Sequence, residues 1–283
     1  MYDNEAKLKE IEVCILNEFI AVCQRYDLRY YVIGGTLLGT VRHKGFIPWD
    51  DDIDVAMPRK DYEKFEKIAP KSLPRHLFFQ TRKSDPEYFY SFGKIRNSNT
   101  TFIETACRNK RINQGIYIDV FPLDYYPENR IKQTLIDFMN LMFRFRFKKE
   151  IAISSYKKSS VLGRIIDSVG SNTMMVFMPT VSLAYELRKK MHTKCQNSLL
   201  WANYGGAWGR KEIVPISWYG KGKKMKFENT AVIVPDRYDL WLKRVYGDYM
   251  KLPPVEKRVT HHYADIIDVN HSYKYYIHNK VNH

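Results

Sequence analysis

The chain has 283 residues, 45% of them hydrophobic, long enough for one large domain or two small ones with ample apolar material for a core, so disorder is not the default. Lys and Arg number 46 against 31 Asp and Glu, a net charge of +15 that should attract anionic partners: nucleotides, nucleic acid or an acidic lipid surface. No RNP signature, zinc-finger spacing or basic-zipper pattern accompanies the charge, so no nucleic-acid partner is expected.

The first residues, MYDNEAKLKE, lack the apolar centre of a signal peptide, and no run of about 18 apolar residues occurs further on. A cytoplasmic protein is expected, with peripheral contact on the inner face of the membrane left open. From Glu5 to Tyr26, Leu8, Ile11, Cys14 or Ile15, Phe19 and Val22 recur at helical spacing and predict an amphipathic helix. Cys14, Cys23, Cys107 and Cys195 lie far apart without a C-x-x-C pair, as thiols of a reducing compartment do. Leu28 to Gly34 predicts a buried strand, Gly34-Gly35-Thr36 its exit turn, and Leu37 to Arg42 a short helix. Free amides beside a glycine pair make a phosphate seat, and Arg42 and His43 follow within reach of it; a plain turn is the alternative.

After Pro48 comes Asp50-Asp51-Asp52-Ile53-Asp54-Val55. Read as a strand, the alternation sends Asp50, Asp52 and Asp54 to one face and Asp51, Ile53 and Val55 to the other. Three carboxylates on one face repel unless a cation sits among them, and an all-oxygen set suits Mg²⁺ or Mn²⁺. The competing reading is a solvated acidic loop. Asp61 to Ala69 predicts a helix ended by Pro70 to Pro74, and Leu77 to Gln80, Tyr88 to Arg96 and Phe102 to Thr105 predict strands. Lys94 and Arg96 share a face by period two, as phosphate contacts or as a surface pair. GIYIDVF, Gly115 to Phe121, is an apolar strand with a single acid at its centre. A lone carboxylate there is costly unless paired or metal-bound, so Asp119 should face the upstream acids as a further ligand or as the general base.

Ile33-Gly34-Gly35, Asp52-Ile53-Asp54 and Asp119 together resemble the nucleotidyltransferase superfamily pattern of Gly-Gly, Asp-x-Asp and a third acid. The wording GGTLLGTVRHKGFIPWDDDIDVAMPRKDYEKF is closer to one branch, the LicD family of phosphocholine transferases, to which fukutin-related proteins are also similar. GIYIDVFPLD, VPDRYDLWLKRVYGDYMKLPP and EKRVTHH look like later blocks of that family. The resemblance thus covers the chain except for roughly Glu128 to Leu200. It implies an α+β fold: a nucleotidyltransferase-like mixed sheet flanked by helices, with a helical insertion. The expected division is a catalytic core at 1–127, a helical insertion or acceptor- or membrane-facing subdomain at 128–210, and a C-terminal segment at 211–283 that returns to the core.

In the insertion, Arg144, Arg146, Lys148 and Lys149 interleave with Phe143, Phe145 and Phe147, before a serine-rich hinge at Ser154 to Ser160 and the apolar Met174 to Val181. Snorkelling basic residues on anionic lipid and an ordinary helical insertion both fit. NYGGAWGR, Asn203 to Arg210, is a glycine-rich turn without phosphate-loop spacing. KKMKFENTAVIVP gives a strand or two, and Asp236 is a candidate N-cap for a helix with Leu240, Trp241 and Val245 buried and Gly247 closing it. Lys257, Arg258 and His261 could approach the phosphate side, or form an exposed basic tail.

The resemblance implies transfer of a phospho-alcohol, phosphocholine in the family's best-known case, from a CDP-linked donor to a glycan hydroxyl, with CMP leaving. The acceptor would be a teichoic acid, lipopolysaccharide or capsule precursor, free or lipid-linked. Asp52, Asp54 and Asp119 would be catalytic, and with Asp50 would hold Mg²⁺ or Mn²⁺. Gly34, Gly35, Thr36, Arg42, His43, Lys94, Arg258 and His261 would hold donor phosphate. The same chemistry with CDP-ribitol or CDP-glycerol is the second expectation, and a non-catalytic basic binding protein for nucleic acid or membrane is a third.

Overall fold

In a computed structural model, which describes residues 2–150, 186, 189–190, 195, 197–259 and 264–279, the N-terminal helix α1 spans Tyr2–Arg25. Leu8, Ile15, Leu16, Phe19, Val22 and Cys23 form its buried stripe, while Cys14 is exposed and Glu12 takes a buried place among the apolar residues. Strand β1 is only Tyr31–Val32, and helix α2 (Gly34–Arg42) begins at Gly34 rather than at Leu37. Gly34 itself turns the chain, at φ +57, a conformation that costs other residues about 1–2 kcal/mol.

Strands β2 (Asp54–Pro58), β3 (Leu77–Gln80), β4 (Gly93–Asn97), β6 (Ile116–Tyr126), β7 (Leu200–Asn203) and β8 (Ile213–Pro215) join β1 in one mixed sheet; β5 (Thr101–Glu104) lies off it. Its order is β1-β2-β6-β4-β3, with β7 on β6 and β8 on β7. The pairing of β2 with β6 is parallel and the others are antiparallel. The 11-residue β6 is the axis: its first half pairs with β4 and its last four residues with β7. This is the mixed sheet of an α+β fold.

Several expected boundaries move for identifiable reasons. The chain enters the sheet at Asp54, so residues 50–53 are loop and strand alternation does not orient Asp50 or Asp52; a turn bonding the Asp50 amide to Ile47 O (2.9 Å) precedes them. The helix predicted to end at Pro70 runs over Arg59–Ser72 (α3), with that proline in its last turn, where Leu73 N still reaches Ala69 O at 3.0 Å. The strand predicted from Tyr88 starts only at Gly93. Ahead of it the rings of Phe89, Tyr90 and Phe92 pack on one another in a loop.

Helix α4 (Arg130–Glu150) lies at the start of the segment expected to be an insertion. The serine-rich hinge, the 174–181 segment and the side chains of residues 142–150 lie outside the described residues. No helix among the described residues is long and apolar enough to cross a membrane. The short helix α5 (Ile216–Tyr219) leads to a hairpin of β9 (Lys223–Phe227) and β10 (Thr230–Val234), which locks onto the core where Glu228 Oε1 accepts the Phe46 N–H at 2.9 Å. Helix α6 is Tyr238–Tyr246 and Gly247 closes it at φ +74. Asp236 does not cap it: that carboxylate accepts the Lys221 N–H. Leu240 is 43% exposed, and Leu242 takes the buried place beside Trp241 and Val245. Finally β11 (Ala264–Asp268) pairs antiparallel with β5, and helix α7 (Tyr273–Asn279) ends the described chain.

Candidate active site

One row of the sheet carries the charges. Asp54 on β2 stands opposite Asp119 on β6, Lys94 on β4 stands opposite Asp119 on its other side, and Gln80 on β3 stands opposite Lys94. Directly paired residues share a face, so register alone brings these side chains together. The Lys94 ammonium lies 2.9 Å from Asp119 Oδ1 and 3.5 Å from Glu104 Oε1, with the centroid of the Tyr117 ring at 3.3 Å. Arg96 continues the network inward, donating to Gln80 Oε1 (2.6 Å), Gly115 O (2.9 Å) and Glu104 Oε2 (2.7 Å). Both cations are internal, Lys94 2% and Arg96 0% exposed, so they are not a surface pair. The ammonium of Lys94 is directed to the Asp119 carboxylate.

The acidic loop supplies the rest. One carboxylate oxygen from each of Asp52, Asp54 and Asp119 lies within 4.8 Å of the others, and Asp50, Asp51 and Asp52 form a second such trio that shares Asp52. Asp51, expected on the opposite face, therefore clusters with its neighbours, because the segment is loop. The glycine pair makes room for these acids. A Cβ at Gly34 would lie 2.5 Å from Asp54 Oδ2, and one at Gly35 would lie 2.2 Å from Asp50 Oδ2. Thr36 acts on the same strand: its hydroxyl accepts the Asp54 N–H at 2.8 Å and fastens α2 to β2. Burial, then the charges of Asp52, Asp119 and Asp50, hold the Asp54 carboxyl well above the usual carboxylate range. Glu12, buried on α1, is raised by its burial and by Asp52 and Asp51. Three oxygens at mutual ligand distance, with neither sulfur nor imidazole among them, are a donor set that fits Mg²⁺ or Mn²⁺.

These acids face a cleft of about 1310 Å³. Gly34, Gly35, Arg42, Asp50, Asp52, Asp54 and Asp119 all reach its wall. Arg42 donates to Tyr249 O at 2.8 Å, and its pKa is lowered by burial and by nearby Arg258. His43 sits edge-on to Trp49 with ring centroids 6.4 Å apart, its pKa lowered by burial and then by Arg42, which keeps the ring neutral at pH 7. Arg258 lies over the same Trp49, 5.3 Å from the ring centroid, and donates to Pro253 O. His43 and Arg258, distant in sequence, thus meet at one residue of the cleft wall, Trp49. Lys257 also lines the cleft, and His261 lies outside the described residues.

Glu212, which the sequence reading passed over, also lines the cleft and is 2% exposed. Its oxygens accept the Trp208 N–H (3.0 Å) and an Asn203 Nδ2–H (2.8 Å), while Asn203 Oδ1 accepts the amides of Gly205 and Gly206 at 3.1 Å each. Burial outweighs these bonds and pushes the carboxyl up to about 7. The glycine-rich turn is therefore built around a carboxylate, and an Asn and a Glu bracketing the glycines were its signal in the sequence. Glu12 had a comparable one, an acid on the apolar stripe of an amphipathic helix.

Residues 27–157 match a family model described as LicD/FKTN/FKRP, nucleotidyltransferase domain. Over 251 residues the chain is 31% identical to the lipopolysaccharide cholinephosphotransferase LicD of Haemophilus influenzae, spanning 88% of this chain and 92% of that protein. The ribitol 5-phosphate transferases FKRP of Mus musculus and Homo sapiens are 25% and 24% identical over 124 residues, 42% of this chain and 21% of each relative.

Proposed function

The chain belongs to the LicD family of phosphotransferases, and from that membership we propose that it moves phosphocholine from CDP-choline to a hydroxyl of a cell-surface glycan such as lipopolysaccharide, releasing CMP. One observation carries the reading: Asp52, Asp54 and Asp119 present carboxylate oxygens within 4.8 Å of one another on the wall of the cleft. This proximity supports the phosphotransfer reading that the family resemblance implies for these aspartates. Similarity to a named transferase over most of the chain, with these acids in place, also sets aside the non-catalytic binding reading.

Asp52, Asp54 and Asp119 would hold Mg²⁺ or Mn²⁺, with Asp50 beside them. The bound ion would neutralise the donor diphosphate and lower the pKa of the acceptor hydroxyl. The acceptor oxygen bonds to the phosphorus of phosphocholine as the bond from that phosphorus to the CMP oxygen breaks, and Asp119 receives the hydroxyl proton. Lys94, at 2.9 Å, keeps Asp119 oriented. The amides of Gly34 and Gly35, with Arg42 on the cleft wall, hold the donor phosphates and the charge developing on CMP; Thr36 sets the helix that carries them. His43 and Arg258 act on the same side through Trp49.

Ribitol phosphate is the second cargo, favoured by the FKRP similarity, which covers 42% of the chain against 88% for the cholinephosphotransferase. Replacing Asp54 with Asn tests the site. CMP release from CDP-choline in the presence of lipopolysaccharide should be abolished while the thermal midpoint is kept. Wild-type turnover in that variant contradicts the assignment of Asp54. Turnover of CDP-ribitol alone replaces the proposed donor with the second one.

A further inference from the structure

Glu212 and the turn that holds it form a wall of the cleft for which the acid row has no use. The carboxylate is 2% exposed, its two hydrogen-bond donors are neutral, and among the described residues it has no ion-pair partner. A buried carboxylate without a cation is unfavourable, and a cationic ligand relieves it. Beside it are two aromatic rings that also line the cleft, Trp208 and Tyr246, with centroids 5.0 Å apart at 75°. Trp208 is 42% exposed and already draws a cation, Lys211 Nζ, to 5.6 Å from its centroid. Tyr246 lines the cleft together with Asp50, Asp54 and Glu212.

We propose that the Asn203 to Glu212 turn and Tyr246 seat the quaternary ammonium of the donor, with Trp208 and Tyr246 supplying ring faces and Glu212 the counter-charge. The assignment rests on the phosphocholine reading above and deepens it. A trimethylammonium group has no N–H, so it cannot be held by hydrogen bonds; aromatic faces and an undirected negative charge are what recognise it. Glu212 matches that requirement, because Asn203 and the Trp208 amide fix its oxygens and its negative charge acts without a directed N–H from the ligand. A polyol such as ribitol would want the opposite, donors and acceptors with free directions. Placement agrees as well: Glu212, Trp208 and Tyr246 line the same cleft as Asp54 and Asp119, so phosphate at the acids and ammonium at Glu212 share one pocket.

The test is calorimetric binding of CDP-choline and of its neutral isostere, in which carbon replaces the ammonium nitrogen, to wild type, Glu212→Gln and Trp208→Leu, each checked by thermal melting. Wild type should prefer the cationic donor by about tenfold or more. Both variants should lose most of that preference while binding the isostere as wild type does. Trp208, on an exposed ring, carries the test if Glu212→Gln does not fold. Variants that keep the wild-type preference overturn the subsite and leave the phosphocholine reading standing. A wild type that fails to distinguish the pair overturns that reading, and the subsite with it.

Discussion

Lys94 shows how much a single residue's meaning depends on its neighbours. Its period-two relation to Arg96 was visible in the sequence, but its partners Asp119 and Glu104 come from strands whose pairing is non-local, so its burial and its role were not. Replacing Lys94 with Met removes the cation 2.9 Å from the buried Asp119 carboxylate, while Glu104 keeps Arg96. The folding free energy measured by urea titration should fall by about 3–5 kcal/mol, and a loss under about 1 kcal/mol would place the ammonium outside the network. Asp119, in contrast, was legible from sequence because a lone acid in an apolar strand demands a partner wherever the strand lies. Glu212 titrates in a window that can be measured. Its folded carboxyl is pushed up to about 7 from an ordinary 4.5, so between those values the folded protein binds the extra proton. The stabilisation from that proton is complete below 4.5 and lost as pH rises through 7. Thermal midpoints of wild type should therefore fall across this interval relative to Glu212→Gln, and parallel curves would contradict the shift.

At the level of elements, the site is a clamp between α2 and β2. Gly34 and Gly35 leave room for the carboxylates of Asp54 and Asp50, and the Thr36 hydroxyl holds the first amide of the strand. The sequence showed the glycine pair and the acids but attached the glycines to phosphate alone. That their missing side chains are occupied by Asp54 and Asp50 follows from the chain reversing at Gly34 and from β1 pairing with β2, long-range facts that composition and periodicity do not encode. Gly34→Ala should therefore act on chemistry more than on folding. The backbone strain costs about 1–2 kcal/mol, whereas a displaced Asp54 should lower CMP release about 10²-fold. Equal activity in a folded Gly34→Ala protein would detach the glycine from the acid. The misjudged strand at 50–53 has the same origin: alternation orients side chains only where a ladder forms, and the ladder begins at Asp54.

For the whole molecule, residues late in the chain reach both the cleft wall, where Glu212, Tyr246 and Lys257 lie, and the foundation behind it. β11 pairs with β5, the strand that holds Glu104, and Glu104 in turn pairs with Lys94 and Arg96 behind Asp119. Of the segment expected to be a helical insertion, α4 is the helix whose bounds the structure gives. The chain carries a net charge of +15, and its cleft is lined by Asp50, Asp52, Asp54 and Asp119 beside Arg42 and Lys257. The CDP-linked donor proposed above is anionic, so the net positive charge should draw it in, and kcat/KM should fall as NaCl rises from about 0.01 to 0.15 M, where the screening length shortens from about 30 to 8 Å. A salt-independent kcat/KM would separate the basic surface from donor capture.

The central claim, that the Asp52, Asp54 and Asp119 triad is a metal-dependent phosphocholine transfer site, is tested most directly by CMP release from CDP-choline with lipopolysaccharide as acceptor, using protein stripped with EDTA. The account predicts no release until Mg²⁺ or Mn²⁺ is restored, and none from Asp54→Asn at any metal concentration. Undiminished release from the stripped protein, or from that variant, would contradict it.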